Sequence, residues 1–194
     1  MIMSLPFSPK YSFGPLVIAL ISIVAYYCEP TSSQWLAYDR YAIQGLDTWR
    51  LLTGNLVHTN GYHLLLNLAG LALLWALHGE HYRIGRFLKV FVWCSVGTSV
   101  GLYFLSTDLI WYAGLSGALH GIFVWGACMD IRANMRSGWL LLIGVAIKVA
   151  YEQVSGSSPE VAALIDAKVA VDAHFFGTVS GLLLFLVMWL SSRK

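Results

Sequence analysis

Six long apolar stretches run through this sequence, and they restrict the chain to folds that place such stretches in lipid. The stretches lie near 13–28, 62–77, 87–105, 115–131, 139–154 and 173–190. A helix that crosses a bilayer needs about 20 mostly apolar residues, or about 17 at the short end. We therefore predict an all-α membrane protein, a bundle of six transmembrane helices that forms a single domain over residues 1–194.

The composition excludes most soluble classes of protein. Hydrophobic residues make up 58% of the chain and charged residues only 11%, whereas a soluble domain carries about a quarter charged residues. The net charge of +2 is too small for a protein that binds nucleic acid through its phosphates. The lipid bilayer is the expected partner, and the many aromatic residues suit its two interfaces.

The lysine and arginine residues between the stretches predict the orientation of the bundle. With six spans, both termini and the loops after spans two and four share one side. That side holds eight of the 12 basic residues: Lys10, Arg83, Arg86, Lys89, Arg132, Arg136, Arg193 and Lys194. The other side holds Arg40, Arg50 and Lys168, while Lys148 lies within span five. Because basic residues are in excess on the cytoplasmic side, we predict cytoplasmic termini.

Polar side chains inside membrane spans are costly unless they have partners or a function. The chain has eight such residues in or beside its spans: His58, His63, Asn67, Ser116, His120, Lys148, Glu152 and His174. In the predicted topology, four of them fall at one depth in the outer half of three helices: His63, Asn67, Ser116 and His174. Because chance placement would scatter such groups, this shared depth indicates a functional site.

Ser116 has the surroundings of a nucleophile. It stands in Gly114-Leu115-Ser116-Gly117, where glycine allows a tight, exposed backbone at a helix start. The amides of a first helical turn have no partners within the helix, so they can donate to an oxyanion. His63 and Asn67 are four residues apart and share a helix face, from which both could donate as well.

Small residues predict how a serine and a histidine on different helices could meet. Two small-xxx-small pairs, which let helix backbones approach closely, occur in spans four and six: Gly117 with Gly121, and Gly177 with Gly181. We expect this approach to bring Ser116 Oγ within about 3 Å of a His174 ring nitrogen. His174 would then act as general base and later as general acid.

These residues resemble the rhomboid family of intramembrane serine proteases. The matching pieces occur in the family's order: Trp49-Arg50, His58, His63-x-x-x-Asn67, Gly114-Leu115-Ser116-Gly117 and Ala173-His174-x-x-Gly177-x-x-x-Gly181. The resemblance implies a six-helix bundle with Ser116 as nucleophile and His174 as base. It also implies an oxyanion hole of His63, Asn67 and the Ser116 amide, and substrates that are single-span membrane proteins.

One position points to a branch of that family. Four residues after the nucleophile, where a tyrosine often packs under the catalytic histidine, this chain has His120. With Val171-Asp172-Ala173-His174, this resembles the rhombosortases. The branch implies cleavage of Gly-Gly C-terminal sorting tails from exported proteins. It also implies location in a bacterial inner membrane, with an active site that opens to the periplasm.

Several polar residues leave alternatives open. We expect His120 to pack beside His174, although it could also compete as a base or bridge to that ring. Asp172 could complete a catalytic triad, but Asp before an apolar run is a good helix N-cap, which we favour. Lys148 and Glu152, four residues apart, are expected to form an ion pair rather than to act in catalysis.

The first outer segment contains two further polar residues, and no cofactor motif is visible in the chain. We expect His58 to support this segment through hydrogen bonds and Arg50 to anchor it. Histidines without a neighbouring carboxylate or thiol make a weak metal site, so we expect no metal and no cofactor. We expect span five and the Gly/Ser-rich turn after it to gate the site.

Two other functions compete with proteolysis. One is a non-catalytic rhomboid-like protein that binds transmembrane segments. The other is a small transporter or channel that uses the histidines as a proton path. A proton path would need polar groups across the whole bilayer, and those found here stop in the outer half.

Overall fold

The computed structural model describes residues 5–192 and is a bundle of long helices with short elements between them. In chain order the helices are α1 (Pro9–Tyr27), α2 (Thr31–Leu36), α3 (Arg40–Gln44), α4 (Arg50–Thr53), α5 (Gly61–His78), α6 (Ile84–Leu105), α7 (Ser116–Arg132), α8 (Ser137–Ser155), α9 (Pro159–Leu164) and α10 (Val171–Ser191). A 3-10 turn, Gly79–His81, follows α5. Strands β1 (Tyr38–Asp39) and β2 (Trp111–Tyr112) form one short antiparallel pair.

Each of the six apolar stretches forms a long helix, with ends within four residues of those predicted. Five helical segments among residues 5–192 are long and apolar enough to cross a membrane: α1, α5 with its 3-10 turn, α6, α8 and α10. This agrees with the predicted all-α membrane fold. α7 has 17 residues, near the lower limit for a span, so six spans and a single domain over the whole chain stay predictions.

α7 lies in the middle of the bundle. It contacts α10 most extensively and also packs on α5, α6 and α8. Its buried residues combine small side chains on one side, such as Gly117 and Gly121, with larger ones such as Ile122 and Trp125. Because lipid tails are as apolar as the side chains, close van der Waals packing rather than hydrophobic burial holds such helices together.

The glycine pairs of α7 and α10 face each other. A Cβ atom added to Gly177 would overlap the carbonyl oxygen of Gly117, and one added to Gly181 would overlap that of Gly121. The two backbones are therefore in direct contact, as close as helices can come only where both carry glycine. This contact fixes the relative height of the residues at the start of both helices.

The segment between α1 and α5 is pinned by a buried arginine. Arg50 is 6% exposed, and its guanidinium donates to the carbonyl oxygens of Gln34 and Ala37 and to the carboxylate of Asp47. The predicted anchoring role of Arg50 agrees with these bonds. Trp35, by contrast, is 62% exposed, which suits a segment that lies at a membrane interface.

The bundle has two chemically different ends. α5, α7 and α10 begin at one end, which we call the site end, and their other ends form the far end. At the far end Asp130 is 2% exposed and accepts hydrogen bonds from His78 Nδ1 at 2.9 Å and His81 Nε2 at 2.7 Å. Of the basic residues predicted on that side, Arg193 and Lys194 lie outside the described residues.

Candidate active site

The site end brings Ser116 and His174 together. Ser116 is the first residue of α7, and His174 lies in the first turn of α10. Ser116 Oγ is 3.0 Å from His174 Nε2, a hydrogen-bond distance. His174 is 5% exposed, so the contact between α7 and α10 holds its ring against the serine. This geometry permits proton transfer between the hydroxyl and the imidazole.

The backbone before Ser116 is held in a sharp turn. Gly114 has a φ of 128°, in the region that favours glycine, and its carbonyl oxygen accepts from the Tyr112 hydroxyl at 2.6 Å. The turn leaves the first amides of α7 without partners inside the helix. Those amides are the donors that a helix start offers to an anion.

His63 and Asn67 lie beside this turn. A Cβ atom added to Gly114 would lie 2.6 Å from His63 Nε2 and 3.7 Å from Asn67 Nδ2, so the glycine leaves room for both groups. The Asn67 amide nitrogen is buried and has no hydrogen-bond partner among residues 5–192. The Thr59 amide lies 3.4 Å and the Thr59 hydroxyl 3.0 Å from His63 Nδ1. Two side-chain nitrogens therefore stand close to the nucleophile turn.

His120 stacks on the ring of His174. The two ring centroids are 4.1 Å apart and the planes differ by 17°. His120 Nδ1 lies 2.7 Å from the carbonyl oxygen of Ser116, and its Nε2 lies 2.9 Å from Lys148 Nζ. The ring therefore packs beside His174 as the sequence predicts, and the described contact of Ser116 Oγ is with His174, not with His120.

The contact between Glu152 and His174 is what sequence reasoning missed. Lys148 and Glu152 form the expected ion pair, at 2.8 Å. The same carboxylate oxygen, Oε2, also lies 2.8 Å from His174 Nδ1. A signal was available, because an ionisable pair on a helix that largely faces lipid needs a further reason to be there. What the sequence could not supply was the partner on α10.

The cluster of His120, Glu152 and His174 has the donor types of a metal site, with ligand atoms within 4.8 Å of one another. Lys148 Nζ already lies beside all three, at 2.9, 2.8 and 3.4 Å from the His120, Glu152 and His174 atoms. The Lys148 ammonium thus lies where a metal ion bound by these three residues would lie. The expectation that no metal is bound stays a prediction.

One predicted role is wrong, and another stays a prediction. Asp172 does not cap α10, because the N-cap residue is Ala170. Asp172 accepts a hydrogen bond from Ser106 Oγ instead, since the helix begins one residue before it. The supporting role of His58 stays a prediction. Its side chain is 1% exposed, and a backbone hydrogen bond with Leu56, in the segment before α5, raises the pKa of the His58 ring against the effect of burial. It packs edge-on against His63, and burial lowers the pKa of His58 to about 3.

A cavity of about 680 Å³ opens beside Ser116. Its walls are Thr59, His63, residues 105–113, Ile165, and residues 167–172, which run into the first turn of α10. The cavity is therefore lined by the two segments that lead into α7 and α10, the helices that carry Ser116 and His174. The volume lies in the range of sites that hold small ligands or short peptide segments.

Comparison with known proteins identifies the chain at the level of a family. A family model for the Rhomboid domain matches residues 46–191, which include both Ser116 and His174. No curated protein matches the chain at a significant level. Members of this family are generally intramembrane serine proteases. The apolar helices and the family match make this a multi-pass membrane protein. Because the match covers most of its length, the chain belongs to the rhomboid family.

Proposed function

We propose that this protein is an intramembrane serine endopeptidase in which Ser116 is the nucleophile and His174 the general base. The observation that carries the proposal is the 3.0 Å contact between Ser116 Oγ and His174 Nε2. Nε2 takes the hydroxyl proton as Oγ attacks the scissile carbonyl carbon, and then gives that proton to the leaving amine. Water attacks the acyl-enzyme by the same route, which releases Ser116.

The oxyanion of the tetrahedral intermediate needs donors already in place. We assign this role to Asn67 Nδ2, His63 Nε2 and the Ser116 amide. Asn67 supports the assignment best, because its buried amide nitrogen has no partner among residues 5–192 and so has a free donor. His63 Nε2 is the ring nitrogen that faces Gly114, and it can donate to the oxyanion in the Nε2–H tautomer or in the imidazolium.

The substrates we propose are single-span membrane proteins. A peptide bond within a helix is shielded by its backbone hydrogen bonds, so the substrate must unwind locally where it enters the 680 Å³ cavity. A Gly-Gly pair favours such unwinding because glycine weakens a helix. We therefore propose tails with a Gly-Gly motif, an apolar helix and basic residues at the end. His120 stacked on His174 supports this rhombosortase assignment.

The proposed location is a bacterial inner membrane. Six spans, with α7 as the fourth, would leave both termini in the cytoplasm and open the site to the periplasm. The basic residues at the far end, Arg83, Arg86, Arg132 and Arg136, support this orientation. The test of this orientation is a fusion of the C-terminus to a reporter enzyme that works in only one compartment. We expect the cytoplasmic reporter to be active. A reporter that is active only in the periplasm would reverse the topology.

The test of the activity is cleavage of a single-span reporter by the purified protein in liposomes. Ser116→Ala and His174→Ala should each abolish cleavage, and Ser116→Ala should also abolish labelling by a fluorophosphonate. Ser137→Ala, the same change at the far end of the bundle, should cleave normally. Full cleavage by either site variant would reject the pair. Capture of the reporter without cleavage by the intact protein would favour the non-catalytic alternative.

The substrate class has its own test. The protein is offered a reporter with a Gly-Gly sorting tail beside a generic single-span reporter of equal hydrophobic length, and the cleaved bond is mapped by mass spectrometry. Preference for the sorting tail, with a cut at or next to the Gly-Gly pair, supports the proposal. Preference for the generic reporter would reject the rhombosortase assignment and leave the protease assignment standing.

A further inference from the structure

α8 delivers a carboxylate to the side of the His174 ring that faces away from Ser116. Glu152 Oε2 lies 2.8 Å from His174 Nδ1, while His174 Nε2 lies 3.0 Å from Ser116 Oγ. The imidazole is thus bonded through both of its nitrogens, to side chains from two other helices. The Glu152 and His174 side chains are only 13% and 7% exposed, so water screens this contact little.

We propose that Glu152 is a positioning residue that holds His174 in the tautomer and orientation required for proton transfer from Ser116. The inference rests on the proposed function of Ser116 and His174. It makes the catalytic unit of this protein a set of three residues on α7, α8 and α10 rather than a pair.

The hydrogen-bond pattern assigns the proton on His174. An ionised carboxylate can only accept, and the 2.8 Å ion pair with Lys148 identifies Glu152 as a carboxylate. His174 Nδ1 must therefore donate to it. In a neutral imidazole the other nitrogen then has the lone pair, and that nitrogen, Nε2, faces the Ser116 hydroxyl. This is the tautomer that can accept the serine proton.

Glu152 also stabilises the charge that develops on His174. When Nε2 takes the serine proton, the ring becomes an imidazolium with its Nδ1–H directed at the carboxylate, so the contact becomes a charge-assisted hydrogen bond. Lys148, 3.4 Å from the same Nδ1, would by itself oppose a positive ring. The carboxylate, which contacts both groups at 2.8 Å, offsets that repulsion and explains why the ammonium is tolerated beside a catalytic base.

Lys148 hydrogen-bonds both Glu152 and His120. It donates to Glu152 Oε2 at 2.8 Å and to His120 Nε2 at 2.9 Å. With Nε2 accepting, a neutral His120 has its proton on Nδ1, which donates to the Ser116 carbonyl oxygen at 2.7 Å. The stacked His120 ring then presents no free lone pair to the serine. Among residues 5–192, the titratable groups that act on His174 are Lys148, Glu152, His120 and His63.

The experiment compares Glu152→Gln with Glu160→Gln, which makes the same chemical change on exposed α9. In Glu152→Gln we expect kcat for reporter cleavage and the rate of fluorophosphonate labelling to fall by about 10²–10⁴-fold, as when the carboxylate of a serine protease triad is replaced by an amide. KM should change less than about twofold, because Glu152 is not among the residues that line the 680 Å³ cavity. Glu152→Asp, which keeps the carboxylate, should restore part of both rates.

A labelling rate for Glu152→Gln within about twofold of that for Glu160→Gln would overturn the proposal. So would a Glu152→Asp variant no better than Glu152→Gln, provided that all variants elute as single species and unfold cooperatively.

A measurement on the unaltered protein tests the proposal even if the Glu152 variants fail to fold. Nitrogen NMR of labelled histidine, with His174 assigned by its absence in His174→Gln, should show the proton on Nδ1. A proton on Nε2 would overturn the proposal. If the intact protein neither cleaves nor reacts with the fluorophosphonate, the proposed function fails, while the NMR result still decides the position of the proton.

Discussion

The α-carbon of Gly177 lies against the carbonyl oxygen of Gly117, so that a single added methyl group would overlap the backbone of α7. This contact sets the height of α10 on α7. Because Ser116 and His174 precede these glycines by one and three residues, it also sets the distance between the hydroxyl and the imidazole. The reactivity of the serine should therefore depend on a glycine that touches neither reacting group.

Gly177→Ala should push α10 away from α7 and lengthen the contact between Ser116 and His174. Overpacking of this kind costs about 1–3 kcal/mol of stability, and we expect fluorophosphonate labelling to fall by at least about tenfold in the folded fraction. Gly144→Ala is the control, because a Cβ atom at Gly144 on α8 meets nothing within 4 Å. Equal labelling of the two variants would contradict the prediction.

Gly114→Ala should disable the site by two effects, backbone strain and overlap of the new methyl group with His63 Nε2. A residue with a side chain in such a backbone conformation costs about 1–3 kcal/mol. Gly156→Ala separates the two effects, since Gly156 also has a positive φ, 75°, but open space around it. Both variants should lose thermal stability, and only Gly114→Ala should lose labelling.

Asn67→Ala should lower kcat by about 10²–10³-fold, the usual effect of removing one oxyanion donor. Its thermal stability in detergent should change little, because the amide nitrogen makes no hydrogen bond within residues 5–192 that the substitution could break. KM should also stay near its original value. A large loss of stability with unchanged kcat would show that Asn67 only joins helices.

Asp130→Ala should destabilise the far end of the bundle and leave the reactivity of Ser116 unchanged. Both carboxylate oxygens accept from histidines, at 2.9 and 2.7 Å. The His78 side chain is fully buried, and a buried nitrogen left unpaired costs about 1–3 kcal/mol. The midpoint of thermal unfolding should fall, while labelling per folded molecule stays unchanged. Asp108→Ala, at an exposed carboxylate, is the control for stability. Loss of labelling in folded Asp130→Ala would indicate coupling between the two ends.

The sequence was sufficient to predict the long helices and the meeting of Ser116 with His174, but not the place of Glu152 beside them. Hydropathy is a property of consecutive residues, so the ends of the helices could be placed within four residues. The glycine pairs likewise indicated which faces of α7 and α10 would touch. Asp172 shows where such reasoning fails, because α10 begins at Val171, and a cap depends on the turn of backbone that precedes the helix.

The sequence by itself determined that the long helices lie in a lipid bilayer. It also determined that Ser116, His174, His63 and Asn67 lie near one end of three of them. Only the tertiary structure decided that Glu152 lies 2.8 Å from the second nitrogen of His174. Apolar length and spacing are local and can be read along one helix. The contact between α8 and α10 depends on how each helix is rotated against α7, and that rotation is set by packing among residues far apart in the chain.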